Sequence, residues 1–195
     1  MIVGSELVLV EAELVGGGLG CPSCPGVLGP WGHARERVLR CRAGNWLLRP
    51  RRARCRGCAC THVLLPQLAF SRRQDEAAVI GDAIEASVAG EGCRRIAARL
   101  GVPAGTVRGW LRRFVGRAGL IRVLFTRCAV ALDPELGAIM PAGSDVADAL
   151  EAVAVAARAW VLRFGRPEPV WQIVSRLSAG GLLSRNTSSL ATGAW

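Results

Sequence analysis

The sequence has 195 residues, no lysine and no tyrosine, and aromatic residues make up only 5% of it. All 25 basic residues are therefore arginines. A preference for arginine over lysine follows the base composition of GC-rich genomes, so it does not indicate a function by itself. So few aromatic rings leave little on which single-stranded bases could stack, which disfavours that type of binding surface.

A targeting segment is also missing from the sequence. Residues 1–18, MIVGSELVLVEAELVGGG, contain three glutamates and no basic residue, unlike a secretory signal. An apolar stretch around 153–164 is interrupted by Arg158 and Arg163, which disfavours a membrane span. We therefore expect a cytoplasmic, nucleoid-associated protein with no membrane partner. In that compartment eight cysteines are not expected to form a disulfide framework.

Positive charge is concentrated in one part of the chain. The net charge is +10, and residues 21–75 hold eleven arginines but only two acidic residues. Residues 119–195, by contrast, hold seven arginines and six acidic residues. Such an excess favours a partner that exposes phosphates or another anionic surface. The hydrophobic fraction of 51% excludes general disorder.

Two cysteine pairs, CPSC at 21–24 and CRGC at 55–58, are separated by thirty residues. Paired thiolates at this spacing suit the closed tetrahedral shell of a structural zinc ion, which leaves no position for a catalytic water. We therefore predict one zinc ion held by Cys21, Cys24, Cys55 and Cys58. The spacer predicts two strands around a turn at residues 43–45, so that residues 21–66 would form a zinc ribbon. Four reduced core thiols are the alternative, but they do not explain the paired spacing.

The other cysteines and histidines have weaker signals. Cys60 and His62 follow the second pair so closely that either could replace one of the four ligands. That alternative stays open on the sequence. The remaining residues of these types are expected to be small apolar or surface side chains: Cys41, Cys93, Cys128 and His33.

A row of arginines lies beside the second cysteine pair, within the predicted zinc ribbon. Arg52, Arg54 and Arg56 occupy alternate positions, which place side chains on one face of a strand. We predict that this face contacts phosphates. A merely solvated face is the alternative, disfavoured because solubility is usually served by charges of both signs.

Residues 71–118 predict three helices. A capping-box pattern at Ser71–Gln74 predicts a helix over 72–89, followed by helices over 93–100 and 104–115. The break at 101–103, GVP, is a short turn that contains glycine. At 100° per residue, the third helix places Val107, Leu111 and Phe114 on one face, with Trp110 at its edge. Its opposite face is small and basic, with Gly105, Arg108, Gly109, Arg112 and Arg113.

Three helices with this turn predict a helix-turn-helix, a DNA-binding arrangement. Small residues let a helix lie deep in a groove, and arginine binds guanine edges or phosphates. A small helical bundle with a solvated arginine face is the alternative. Beyond it, we predict helices over 120–132, 145–164 and 169–177. The predicted domains are a strand-like lead-in over 1–20, the zinc ribbon, the helix-turn-helix over 71–118, a helical region over 119–178 and a flexible tail over 179–195.

The stretch RRIAARLGVPAGTVRGWLRRF resembles helix-turn-helix regions of bacterial transposases and resolvase-like recombinases. A zinc ribbon before such a module is similar to the N-terminal half of some insertion-sequence transposases, over residues 21–118. The resemblance implies DNA contacts by five residues of the third helix: Thr106, Arg108, Gly109, Arg112 and Arg113. A transposase also needs three spaced carboxylates for two metal ions. The acidic residues after 118 have no strand context of that kind, so we expect no nuclease activity.

The sequence therefore predicts an α+β protein, in which a small β zinc ribbon precedes a homeodomain-like helix-turn-helix and a mostly helical C-terminal region. We expect a zinc-containing, sequence-specific, double-stranded DNA-binding protein that is not an enzyme, either a transcriptional regulator or an accessory factor of a transposase. Two alternatives stay open. One is a subunit or remnant of a transposase or recombinase without its nuclease domain, and the other is a protein or RNA adaptor. A homodimer and a transposase or recombinase partner also remain candidates.

Overall fold

A computed structural model describes residues 1–184. Small sheets occupy the N-terminal part and helices the remainder, so the α+β class is confirmed. The described strands are β1 Ile2–Val3, β2 Leu28–His33, β3 Arg37–Cys41, β4 Gly44–Leu48, β5 Arg51–Cys55, β6 Thr61–Val63 and β7 Leu65–Pro66. The described helices are α1 Leu7–Val15, α2 Ala77–Val88, α3 Cys93–Leu100, α4 Ala104–Val115, α5 Ala118–Leu132, α6 Asp145–Phe164 and α7 Val170–Leu177.

The N-terminal strands form three separate sheets. Strand β5 is the centre of an antiparallel sheet in the order β2-β5-β6, while β3 and β4 form a hairpin of their own and β1 pairs with β7 in parallel. The spacer between the cysteine pairs therefore supplies four strands, β2 to β5, rather than the two that the sequence predicts. Alternation along β5 buries Ala53 and Cys55 and turns Arg52 and Arg54 to the other face.

Residues 7–15 form a helix, not the strand that the apolar alternation predicts. Val10 and Leu14 are buried one turn apart in a small core with Leu28 and Ala53. Glu11 lies on the same helix and forms two hydrogen bonds of 2.8 Å with the Arg51 guanidinium. The residues of 7–15 that make these contacts are spaced as on one side of a helix. Contacts with residues about forty positions away therefore select the helix over the strand.

The start of α2 also differs from its prediction. The capping box at residue 71 predicts a helix from 72, but α2 begins at Ala77, with Glu76 at its N-cap and no side-chain cap. The preceding segment instead pairs with β3. The Arg40 amide donates to the Gln74 carbonyl at 2.7 Å, and the Arg40 guanidinium binds both oxygens of buried Asp75 at 2.9 Å. These bonds join the β hairpin to the helical part of the chain.

Helices α2 to α7 share one hydrophobic core. Phe70, Phe114 and Phe125 are fully buried in it, so the predicted helix-turn-helix and the predicted C-terminal helical region pack as one body. Leu182 and Leu183 are also fully buried there, which corrects the prediction of a flexible tail from residue 179. The rest of that predicted tail, 185–195, lies outside the described residues.

Helix α6 matches its prediction in both bounds. Its first turn is capped by Ser144, whose Oγ accepts a hydrogen bond from the Ala147 amide at 3.2 Å. Trp160 is buried on its inner side, whereas Phe164 at the end of the predicted apolar stripe is 51% exposed. Of the helices that the structure describes, none has both the length and the apolar composition needed to cross a bilayer.

Candidate metal centre and nucleic-acid interface

The two cysteine pairs converge at one end of the β2-β5-β6 sheet. The Sγ atoms of Cys21, Cys24, Cys55 and Cys58 all lie within 4.8 Å of one another. The Cys24–Cys55 and Cys21–Cys58 sulfur distances are 3.4 and 3.8 Å. A tetrahedral zinc ion with sulfur ligands at about 2.3 Å requires sulfur–sulfur distances of about 3.8 Å. The four cysteines can therefore hold one metal ion.

Backbone amides point at the sulfurs in both turns. In the first turn, the amides of Ser23 and Gly26 lie 3.4 Å from the sulfurs of Cys21 and Cys24. In the second turn, the amides at 57 and 58 lie 3.3 and 3.5 Å from the Cys55 sulfur. Such N–H···S bonds stabilise thiolates, the form that binds a metal ion. They also hold the sulfurs in position from the backbone, which a core of unrelated reduced thiols would not require.

Ionisation within the cluster is uneven. Amide hydrogen bonds, first from Cys58 and then from Gly57, lower the pKa of the Cys55 thiol to about 6. A hydrogen bond from the Cys60 amide acts to lower the pKa of Cys58, but hydrogen bonding to the Cys24 sulfur, burial and hydrogen bonding to the Cys55 sulfur together raise it to about 12.

Gly26 leaves the room that the cluster needs. A methyl group at this position would lie 2.9 Å from Cys55 Sγ and 3.3 Å from Cys24 Sγ. The first distance is shorter than a carbon–sulfur contact allows, and the second is tighter than most such contacts. A residue with a side chain would therefore push one turn away from the other, so glycine at 26 fits a site in which two cysteine turns meet.

The two open alternatives for ligands lie outside the four-sulfur cluster. Cys60 is exposed and is not among the clustered residues. His62 Nε2 lies 3.5 Å from Cys21 Sγ, at the distance of a hydrogen bond to sulfur. Burial, together with the nearby N-terminal ammonium, lowers the pKa of His62 and favours its neutral form. His62 is thus placed to orient Cys21 from outside the shell.

The arginine row on β5 has a partner that the sequence did not reveal. The Arg54 guanidinium stacks 4.6 Å from the ring centre of Trp31, and its Nε donates to the Ala59 carbonyl at 3.3 Å. Trp31 is 50% exposed. Arg52 is half-buried and Arg56 is exposed. The predicted row thus shares its surface with an aromatic ring on β2, and only pairing of β2 with β5 brings the two together.

Helices α3 and α4 are joined by a tight turn. Gly101 adopts the left-handed conformation with φ of 65°, which glycine accepts without strain, and ends α3. Both helices have the predicted bounds. On α4, Val107 and Phe114 are buried as predicted, and Trp110, predicted at the edge of the apolar face, is also buried at 3% exposure.

The opposite face of α4 is only partly free. Arg108 and Arg112 are exposed, whereas Thr106 and Gly109 are half-buried. The Arg113 side chain folds back along the helix, and its Nη1 donates to the Gly109 carbonyl at 2.7 Å. The most accessible cations of the predicted surface are therefore Arg108 and Arg112, which lie one turn apart.

Comparison with protein families identifies the three-helix part of the chain. Residues 72–123 match the model of the homeodomain-like domain family, which confirms the predicted helix-turn-helix. This class of domain suggests binding to double-stranded DNA. The match does not include the cysteine cluster. Comparisons with curated proteins and with solved structures find no match.

Proposed function

We propose that this protein is a zinc-containing, sequence-specific, double-stranded DNA-binding protein in which α4 contacts the bases. The observation that supports this most strongly is the division of α4 into two faces. One face is buried through Val107, Trp110 and Phe114, and the opposite face exposes Arg108 and Arg112. Inside a homeodomain-like domain, such a helix lies in the major groove.

The outer face of α4 suits the depth of the major groove. A methyl group added at Gly105 would meet no atom within 4 Å, so this position in the first turn presents backbone without bulk. Arg108 and Arg112 can then reach guanine O6 and N7 or the flanking phosphates. The proposed contact face also includes Thr106, Gly109 and Arg113. When Arg113 binds a phosphate, its hydrogen bond to the Gly109 carbonyl would be broken.

Zinc is the metal ion that we propose for the cysteine cluster. Four thiolates form a closed shell, so the ion would cross-link the two turns and supply stability rather than chemistry. The exposed face beside it, with Arg52, Arg54 and Arg56, is proposed to follow the phosphate backbone. Trp31 holds Arg54 in place through their stacking.

We propose a regulator or a transposase accessory factor rather than an enzyme. Two of the six acidic residues after 118 have structural partners: Asp148 binds Arg122 and the Ala142 amide, and Glu168 binds Gln67. In the part of the chain that the structure describes, the four cysteines are the group with the spacing of a metal site. These contacts give both carboxylates a structural role, and the regulator or accessory role rests on the DNA binding proposed for α4, with a transposase or recombinase as partner in the accessory variant.

Selection of bound duplexes from a random DNA pool tests the proposal directly. The zinc-loaded full chain would be used at near-physiological salt. We expect one enriched sequence motif, and a palindromic motif would indicate that two copies bind together. Retention without enrichment, lost at modest salt, would contradict sequence-specific binding and favour the adaptor alternative.

Substitution of the two exposed arginines of α4 tests the proposed contact helix. Arg108→Ala and Arg112→Ala should each weaken binding to the selected duplex by about 10- to 100-fold, the loss expected for a bidentate contact with guanine. The far-ultraviolet circular dichroism should not change, because both side chains are exposed. Fluorescence anisotropy would measure binding, with Arg158→Ala on the exposed side of α6 as the matched control. Equal binding by all three variants would show that α4 does not contact the bases.

A further inference from the structure

A groove beside the β3-β4 hairpin is rich in arginine and has no role in the function proposed above. It has a volume of about 600 Å³ and is lined by Arg35, Glu36, Arg37, Arg40, Asn45 and Gln74, among others. We call it the hairpin groove. Its polar lining offers guanidinium and amide donors, the groups that bind phosphate oxygens.

Arg37 is the unusual member of this lining. Its Nε and Nη2 atoms are buried, and neither has a hydrogen-bond partner in the described part of the chain. Removal from water lowers the pKa of Arg37. Arg37 is half-buried, and two unpartnered nitrogens on a partly desolvated cation cost stability. Because Nε and Nη2 are closed to solvent, the guanidinium would have to turn into the groove to bind an anion, which would then supply the missing partners.

The charges around Arg37 leave its end of the groove positive. Arg40 is neutralised by Asp75, with an Nε–Oδ1 distance of 2.9 Å. Arg35 is exposed, and among the described residues no ion pair is recorded for Arg35, Glu36 or Arg37. Glu36 therefore opposes the two arginines without neutralising either of them by direct contact.

The groove continues toward the helix-turn-helix. A neighbouring depression of about 510 Å³ shares Arg40 and Asn45 with it and extends to Gly101 and Val102. Those two residues form the turn that ends two positions before α4 begins at Ala104. In the lining of this depression, Arg42 and Arg99 both contact Asp82, and these contacts connect the hairpin to α2 and α3. The hairpin groove is thus fixed beside the end of α4 that enters a major groove.

We propose that the hairpin groove binds the phosphodiester backbone of the DNA beside the sequence contacted by α4, with Arg37 as its principal ligand. The proposal rests on the proposed DNA-binding function and adds a second contact region to it. The groove is open and runs toward α4, which suits a continuous backbone better than a small anion. Contacts to the backbone position a protein on DNA without specifying the sequence.

The principal test is Arg37→Met in the zinc-loaded full chain. A fluorescein-labelled random-sequence duplex of about 30 base pairs is sufficient, because binding to such DNA is electrostatic. We expect affinity at low salt to fall about tenfold, as for loss of a charge-assisted contact. Between about 50 and 200 mM salt, the slope of log K against log salt should become shallower by about 0.9, the value for one phosphate.

Thermal unfolding separates a ligand role of Arg37 from a structural one. Methionine keeps an unbranched apolar stem and removes the partly desolvated charge, so the Tm of Arg37→Met should equal or exceed that of the original protein. Arg158→Met on α6 is the matched control and should change neither the affinity nor the slope. A second variant, Glu36→Gln, should strengthen binding to the same duplex, because it removes the negative charge beside Arg37.

Three results would overturn the proposal. The first is an unchanged salt slope for Arg37→Met, and the second is a lower Tm with unchanged affinity, which would make Arg37 structural. The third is a Tm increase with inorganic phosphate that Arg37→Met abolishes while DNA binding stays unchanged, which would identify a site for a free anion. Failure of the proposed function would look different. In that case the random pool would yield no enriched motif, or Arg108→Ala would bind the selected duplex as the original protein does, whatever the effect of Arg37→Met.

Discussion

Cys55→Ser is expected to release the metal ion and unfold the N-terminal sheets. Cys55 ends β5, the central strand of the β2-β5-β6 sheet, and is 2% exposed. Its sulfur lies 3.4 Å from that of Cys24, and serine cannot replace it as a thiolate. A structural zinc ion contributes about 10–16 kcal/mol in small zinc domains, more than most domains have in total stability. The core around it is small, so little else would hold the sheet.

Zinc content by atomic emission and secondary structure by circular dichroism measure this effect. The matched control is Cys60→Ser, because Cys60 is exposed and lies outside the cluster. It should retain one zinc ion per chain and the original spectrum. A Cys55→Ser variant that keeps one zinc ion would refute the ligand assignment. Loss of zinc from the Cys60→Ser variant would show that Cys60, rather than one of the four clustered cysteines, is a ligand.

Gly81→Ala is expected to destabilise the helical part by about 2–3 kcal/mol, the upper range for an overpacked core. Gly81 lies inside α2, where a methyl group would overlap the indole ring of Trp171 on α7. The ring is not free to move, because its Nε1 donates to Glu85 Oε1 at 2.7 Å and Trp171 is buried. The helix propensity of alanine favours the substitution by only about 1 kcal/mol and cannot offset the overlap.

Gly119→Ala is the matched control for this substitution. Gly119 is also helical, on α5, but no atom lies within 4 Å of the methyl group that alanine would add. It should leave stability unchanged or raise it by up to about 1 kcal/mol. Urea unfolding followed by circular dichroism would measure both variants. Equal midpoints for Gly81→Ala and Gly119→Ala would contradict the close packing of α7 on α2.

Local signals in the sequence were sufficient for several elements. Helix α4 has the predicted bounds because a turn with glycine and proline precedes it and its apolar positions recur at helical spacing. The β3-β4 hairpin forms near the predicted turn, although its two-residue loop is Arg42-Ala43 and Gly44 already belongs to β4. The cysteine spacing also placed the four sulfurs correctly in one cluster. In each case the deciding residues lie within a few positions of one another or follow a known ligand spacing.

Other elements depend on contacts that a linear pattern does not contain. Residues 7–15 alternate like a strand, yet Arg51 binds Glu11 from a distant strand and selects a helix. The capping pattern at Ser71 is unused because Asp75 binds Arg40 instead. The stacking of Arg54 on Trp31 depends on the register between β2 and β5, which has an irregularity after Pro30. Tertiary contacts override local propensity at these positions.

The burial of Leu182 and Leu183 has a consequence for synthesis of the chain. Both leucines complete the core that contains Phe70 and Phe114. Arg73 and Arg117 flank the helix-turn-helix, and their side chains hold the carbonyls of Leu183 and Ser184. The four clustered cysteines, by contrast, all lie within the first third of the chain. On the ribosome, the module with the cysteine cluster can therefore fold early, since domains fold as they emerge. The helix-turn-helix gains its complete core only after residue 183 has emerged, so α4 would be the later of the two regions to become competent for DNA.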